Sequence, residues 1–493
     1  MTLIMYDFET SGRSPRFDQI LQAGIIIYDE NLSQVNQINL KSRLNSDIIP
    51  SIYALKVNKL NVSDLLNEKK SSFDLSKELH SYMKTAKPSI FLGYNSINFD
   101  EEFLRQALWE SFFYPYLTTS NFNSRGDVLD LVRTSHAFNP NSINVELDDN
   151  GKLSFKLEKL SSVNNFSINN AHEAISDVKA TKNVLEIVKN NSSEIYKAFM
   201  ANTNKQNLIE SIKKRKMFTH HASYYGKHFI FLLTYFIDHP VYKDYVITYD
   251  LKFDPEQITN ISYENFKDIY YSKKKKFFRK LKLNKQPTVL EFSFGKKQYP
   301  YNAISPEILE QRIEILKNEE LKSFMFKILS EEADNFEEGK SQEDKFEEQT
   351  IYDSNINFHD RQLMLDFEKV TWDKKWSFSE KFKDKRLRYF AAKHIYRENP
   401  ELLPKKIFEF LYKKIAERLN SINKHDFTTI PAAIEEFASL SLKLEENEIS
   451  QGLNVQLKQY KIYIDFMSDY YSKKNINPKP LRFDANLSKT LFG

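Results

Sequence analysis

Residues 3–10, LIMYDFET, begin as an apolar run and end polar. Leu3, Ile4, Met5 and Tyr6 ahead of Asp7 predict a buried strand whose far end reaches a polar environment. Asp7 and Glu9 lie two positions apart, so on a strand their side chains share one face. Two carboxylates on one face repel each other unless a cation lies between them. Taken alone, an Asp-x-Glu pair is most often a solvated strand end, and the surrounding sequence has to decide.

Outward from that strand, TSGRSPRFDQ (10–19) reads as a loop broken by Gly12 and Pro15. QILQAGIIIYDENL (19–32) reads as a second strand followed by a turn, its apolar run that of a central strand. Residues 63–86 are predicted as one helix, on Leu65, Leu66, Leu75, Leu79, Tyr82 and Met83. PSIFLGYN (88–95) predicts a third strand, and residues 100–113 a helix with an acidic first turn. Further helices are expected over 127–138 and 174–188. Strands alternating with helices across the first 190 or so residues predict an α/β domain.

Two more acidic clusters fall in this region. In LGYNSINFDEEFLR (92–105), Asp100 follows a strand and starts a helix. That position suits an acid facing the helix dipole, and it is also where α/β domains build sites. Asn95 is placed to orient neighbouring groups by hydrogen bonding. In NNAHEAISDVKAT (169–181), His172 and Asp177 are five apart, about 140° around a continuous helix. They converge only if His172 lies at or before the helix start, where Asn169 and Asn170 are capping candidates.

Beyond residue 220 the pattern changes. Short β-branched and aromatic runs (FIFLLTYF, YVITYDL, TVLEFSF) predict a small β-rich domain up to about residue 300, with the lysine run 273–276 in a helix or loop. Residues 306–333 read as helical. Residues 331–349, acidic and nearly free of large apolar side chains, read as a linker. Residues 359–490 read as helices. Ile407, Leu411, Ile415 and Leu419, four apart with charges between them, give one amphipathic helix.

Composition bounds the possibilities. The 493 residues are 41% hydrophobic and 28% charged, which fits a soluble protein of two to four domains. Net charge is only +4, but residues 205–285 hold about nine more Lys/Arg than Asp/Glu. That basic middle would attract phosphate if its charges fold onto one face. The 14% aromatic content fits large cores and also base-stacking surfaces. With no cysteine, disulfides, thiolate zinc sites and cysteine nucleophiles are excluded, and any metal must be held by oxygen or imidazole. No signal peptide is evident, and the longest apolar run, HFIFLLTYFI (228–237), is about half a membrane span. A cytoplasmic location and no membrane partner are expected.

Together, Asp-x-Glu, a later strand-end acid and His-x4-Asp form a spaced constellation in a predicted α/β domain. This constellation resembles the DEDD exonucleases of the histidine subclass, which have a ribonuclease-H-like fold. The likeness to the bacterial exonuclease I family is closer still. YDFETSGRSPRFDQILQAG, FLGYNSINFDEEFLRQALWESFFYPY, NSRGDVLDLVRTSHAF, LSFKLEKLSSVN and NAHEAISDVKAT all look like stretches of that family. So do TIYDSNINFHDRQLMLDF and RLRYFAAKHIYRENPELLP in the C-terminal region.

The resemblance implies three domains: ribonuclease-H-like exonuclease over 1–192, SH3-like and β-rich over 193–345, helical over 350–493. It implies 3′→5′ degradation of single-stranded DNA to 5′-mononucleotides with two Mg²⁺ ions, or Mn²⁺, and a role in DNA repair and recombination. On that basis Asp7, Glu9, Asp100 and Asp177 are the metal shell and His172 the general base. Thr10, Arg105 and Lys156 are the DNA contacts, by match to family positions. Single-stranded-DNA-binding protein is implied as a partner, and the chain is expected to act as a monomer. Residues 118–126 lack the tryptophans associated with the family there, with Phe122 the available substitute. The lysine-rich KKKKFFRKLK (273–282) reads as a stretch of the DNA path or as a solvated face.

Two other readings stand beside this one. A proofreading or oligoribonuclease-type enzyme acting on RNA would be a short single domain, whereas nearly 300 residues follow Asp177 here. A binding or scaffold protein with a dead catalytic fold would have little reason to keep all four acids and His172.

Overall fold

The computed structural model describes residues 2–85, 88–166, 173–340, 345–445, 451–472, 474–475 and 477–493. Strands β1 (Thr2–Thr10), β2 (Ile20–Tyr28), β3 (Gln34–Lys41), β4 (Ser89–Gly93) and β5 (Ser124–Asp127) form one sheet, in the order β3-β2-β1-β4-β5. β1 runs antiparallel to β2 and parallel to β4, which is parallel to β5. At the centre of the sheet, β1 is covered on both faces, which is why its sequence runs apolar rather than alternating.

Side-chain parity then sorts β1. Leu3 and Met5 enter a core with Val178, Val184, Leu185 and Val188 of helix Ala174–Asn191. Ile4, Tyr6 and Phe8 enter the opposite core with Leu79, Phe103 and Leu104, from helices Ser72–Thr85 and Asp100–Glu110. Asp7 and Glu9 share the parity of Leu3 and Met5, so they face the helix that carries Asp177.

The expected helix over 63–86 is two helices, Val62–Asn67 and Ser72–Thr85. The Asp74 amide donates to Ser71 Oγ at 3.0 Å, a side-chain bond that starts the second helix. The two also serve different cores: Leu65 and Leu66 pack with the C-terminal helices, Leu75 and Leu79 against the first sheet. Strands β3 and β5 escaped the sequence reading because QVNQINLK is polar and mostly exposed at a sheet edge, and SRGD has no apolar run.

The β-rich region forms a second sheet of β6 (Phe218–Tyr224), β7 (Lys227–Asp238), β8 (Tyr245–Asp250), β9 (Phe278–Lys282) and β10 (Val289–Leu290). Its order is β10-β6-β7-β8-β9, antiparallel throughout. Lysines 273–276 lie exposed in the loop before β9.

The linker expectation for 331–349 is corrected. Helix Glu319–Lys340 runs through its first half. Past it, Glu348 is fully buried: its carboxylate accepts from Tyr389 Oη at 2.8 Å and Lys393 Nζ at 2.7 Å, and its carbonyl from Gln106 Nε2 at 2.9 Å. Counting charges along the chain made this segment look solvated, because the partners that neutralise it lie far away in sequence.

The C-terminal helices share one core with Leu44, Ile48, Leu55 and Leu66. The Tyr460, Tyr463 and Tyr471 hydroxyls donate to the carbonyls of Pro50, Ile48 and Ser46 at 2.7, 2.8 and 2.9 Å. A stretch near the N-terminus is thereby fixed to the last third of the chain, beside the first sheet.

Candidate active site

Asp7 pairs in register with Gly24 on β2. A Cβ on Gly24 would stand 2.5 Å from the Ala174 carbonyl carbon, so a side chain there would lift helix Ala174–Asn191 off the sheet. With glycine the first turn of the helix lies close over β2, and Asp177 comes down beside β1. Among the described residues, ligand oxygens of Asp7, Glu9 and Asp177 lie within 4.8 Å of one another. Asp100 follows β4, which is parallel to β1, so it arises at the same carboxyl end of the sheet. Parallel sheets keep their ligand sites at that end. One oxygen of Asp100 accepts the Phe8 amide at 2.9 Å.

The charges are strained in this arrangement. Burial first, then Asp100 and Asp177, pushes the Asp7 carboxyl well above its usual range. Burial, then Asp7 and Asp177, pushes Glu9 up to about 9. Asp100 is also raised, by burial ahead of the charges of Asp127 and Glu9, against the lowering hydrogen bond from Phe8. Such a cluster takes up protons or a cation. The donors are all carboxylate oxygen, which suits a hard divalent ion.

Further residues support the site, and the sequence reading missed them. Asp127 Oδ1 accepts the Asn95 amide at 2.8 Å and Oδ2 the Ile97 amide at 3.2 Å, fixing the loop between β4 and Asp100. Asn95 thus contributes its backbone amide, at φ +59°. Glu101, fully buried, accepts from Thr118 Oγ1 at 2.5 Å and Tyr6 Oη at 3.0 Å, and pairs with Arg125 at 2.5 Å and Arg105 at 3.0 Å. An acid next to another acid in sequence gave no sign that one faces the core and the other the site.

The remaining candidates are placed as follows. His172 lies outside the described residues. Thr10 is buried beside Glu9 and donates to the Gly12 carbonyl at 2.6 Å. Glu9, Thr10, Arg13 and Phe99 line one side of a cavity of about 1100 Å³, whose other side is formed by residues 422–429 with Pro431, Ala432, Glu435, Glu436 and Ser439. Ser14 Oγ donates to Asp426 Oδ2 at 2.9 Å at its edge, so the cavity lies between the first sheet and the C-terminal helices. Arg105 is 9% exposed and committed to Glu101 and to the face of Tyr116, 5.2 Å away. Lys156 is exposed at the start of helix Leu157–Val163, outside the walls of the cavity. Phe122 is 93% exposed.

Residues 4–185 match the family model described as Exonuclease, and residues 203–330 that of the Exonuclease I SH3-like domain. The chain is 26% identical over 282 residues to exodeoxyribonuclease I of Escherichia coli K12. That match covers 55% of this chain and 58% of the length of the relative. Solved E. coli exonuclease I with a dA16 oligonucleotide superposes at TM-score 0.78 and 20% identity, over 94% of this chain and 99% of that one. An ExoI/SSB-Ct complex superposes over the same shares at TM-score 0.77 and 19% identity. The likeness fixes the architecture as a ribonuclease-H-like domain, an SH3-like domain and a set of C-terminal helices. With both domain models matched in order along one chain, and curated exodeoxyribonuclease I relatives aligned to it over about half their length, the chain is similar to the bacterial exonuclease I family.

Proposed function

We propose that this protein degrades single-stranded DNA from the 3′ end to 5′-mononucleotides by phosphodiester hydrolysis. The observation that carries the reading is the carboxylate group of Asp7, Glu9 and Asp177 within 4.8 Å, beside Asp100, in a chain that matches the Exonuclease and Exonuclease I SH3-like models. These four acids would hold two Mg²⁺ ions, or Mn²⁺, which when bound neutralise charge on the phosphate and on the leaving 3′-oxygen.

In this scheme His172 takes the proton from the attacking water, as an imidazole titrating near neutrality can. Its position five residues before Asp177, ahead of the helix start at Ala174, supports the role. Thr10 contacts the strand beside the acids. The cavity against residues 422–429 receives the 3′ end, and its size, far above that of one water, supports this. Lys156 offers an exposed charge to backbone phosphate. Arg105 would reach DNA only with what Glu101 leaves of its guanidinium, so its larger contribution is to hold the helix behind Asp100.

We divide the chain into a catalytic unit (1–192), an SH3-like unit (193–345) and a helical unit (350–493). The dA16 and SSB-Ct complexes of similar proteins support single-stranded DNA and single-stranded-DNA-binding protein as partners. A cytoplasmic place in DNA repair and recombination, as a monomer, belongs to the same reading. Among the described residues no helix is long and apolar enough to cross a membrane.

The test is Mg²⁺-dependent release of mononucleotides from end-labelled oligomers, single- and double-stranded, DNA and RNA. Rapid digestion of single-stranded DNA alone is expected, and His172→Ala should abolish turnover while DNA still binds. An active His172→Ala protein would remove the proposed base, and no Mg²⁺-dependent release would remove the function.

A further inference from the structure

Ile97, three residues before Asp100, is gripped at both ends of its backbone by charged side chains from different parts of the chain. Its amide donates to Asp127 Oδ2 at 3.2 Å. Its carbonyl accepts from Lys285 Nζ at 3.0 Å. Lys285 belongs to the turn between β9 and β10 of the second sheet, 188 residues away. Downstream of Ile97 the loop is tied to the helix, because the Glu101 amide donates to the Ser96 carbonyl at 2.9 Å. What fixes Ile97 therefore fixes the approach to Asp100.

The turn that carries Lys285 is itself anchored to the site. Arg125 Nη2 donates to the Asn284 carbonyl at 2.6 Å and Nε to Gln286 Oε1 at 3.3 Å, while Nη1 pairs with Glu101. Arg125 thus joins the residue after Asp100 to the residues on either side of Lys285. The Lys285 ammonium is only partly exposed and has Arg125, Lys282 and Arg105 as like-charged neighbours, with Glu102 opposing them. Burial and the like charges lower its pKa, so a cation is kept where a neutral side chain would be easier to accommodate.

We propose that Lys285 is a positioning residue: through the Ile97 carbonyl it sets the loop that presents Asp100 to the metal shell. Seating of the second sheet on the first is then read directly at the active site. This rests on the reading of Asp100 as a metal ligand. Residues that orient a ligand typically change metal affinity or turnover 10- to 100-fold when removed.

The experiment compares wild type, Lys285→Met, Lys285→Arg and Asp100→Asn. It reads kcat and KM on single-stranded DNA, Mn²⁺ binding without DNA by electron paramagnetic resonance, and the melting temperature. Lys285→Met should bind Mn²⁺ and turn over about ten-fold less well, with KM within two-fold of wild type and nearly unchanged melting. Lys285→Arg, which keeps a charged donor, should recover most of the loss. Wild-type kcat and Mn²⁺ affinity in Lys285→Met would overturn the proposal. So would a rise in KM alone, which would make Lys285 a DNA contact, or equal losses in both variants with a large fall in melting temperature, the mark of a merely structural residue. Asp100→Asn separates the two levels: if it keeps Mn²⁺ affinity and turnover, the metal-shell reading fails whatever Lys285→Met does.

Discussion

Arg397 and Asp47, 350 residues apart, form a two-pronged ion pair, with Nε donating to Oδ1 at 2.6 Å and Nη2 to Oδ2 at 2.9 Å. Both are buried. Asp47 also meets Arg418 at 3.2 Å and Lys393 at 3.6 Å, and those cations meet Glu348. The network joins the segment after β3, the buried segment around Glu348 and the C-terminal helices, so it holds the far wall of the cavity against the first sheet.

Removing one member leaves the others buried and uncompensated. Asp47→Ala should therefore cost about 3–5 kcal/mol in urea unfolding. A loss under about 1 kcal/mol would mean the network is not holding these parts together. Against burial, Arg397 and Lys393 hold Asp47 well below the usual carboxylate range, and Lys393 and Arg418 hold Glu348 down to about 2. A depressed carboxylate contributes fully above its unfolded value near about 4 and loses the contribution as pH falls through the folded value. The chain should accordingly weaken below about pH 4, and Asp47→Ala should show a shallower acid limb.

At the cluster of Asp7, Glu9 and Asp177 the sign is reversed. Glu9, raised to about 9, favours folding in its protonated form, so in metal-free protein this contribution is lost as pH rises from about 4 towards 9. Millimolar Mg²⁺ should raise the melting temperature at pH 8 and restore nuclease activity after chelation. Asp7→Asn should melt above metal-free wild type, respond little to Mg²⁺, and be inactive. A wild-type protein whose melting ignores Mg²⁺ over pH 6–9 would contradict the cation-holding role.

Three histidines bridge helix Val128–Phe138 and the second sheet. His136 Nδ1 lies 3.2 Å from His228 Nε2, His228 Nδ1 lies 3.0 Å from His221 Nε2, and His221 Nδ1 lies 3.0 Å from Thr134 Oγ1. Each contact needs one donor and one acceptor, which neutral imidazoles provide, whereas full protonation sets N–H against N–H. Burial, then His136 and Arg133, pulls His228 down to about 4, and burial lowers His221 and His136. A histidine whose folded pKa lies below the unfolded value near about 6.5 contributes fully above that pH and loses the contribution as pH falls. The histidines' contribution to unfolding free energy should be lost between about pH 6.5 and 4, so wild type should lose more stability over that window than His228→Gln. An unchanged slope would discount the chain of histidines.

Among the described residues Phe122 is left 93% exposed, at φ +65°. If it stacks on a base, Phe122→Ala should raise KM on single-stranded DNA roughly five-fold or more while melting is unchanged. An unchanged KM would remove Phe122 from the DNA path.

The residue pattern alone determined the first buried strand, the order of α/β, β-rich and helical regions, and the shared face of Asp7 and Glu9. Those features follow from local periodicity, which each short stretch carries by itself. It could not show that Arg105 is spent on Glu101, that Glu348 is a buried anchor, or that Lys285 reaches the loop before Asp100. These depend on partners tens to hundreds of residues away, and whether a charge is solvated or neutralised is settled only once such partners meet. The convergence of Asp7, Glu9 and Asp177 stands between the two. The acids are visible in the sequence, but a bare glycine opposite Asp7, giving helix Ala174–Asn191 room to lie down on the sheet, brings them to one point.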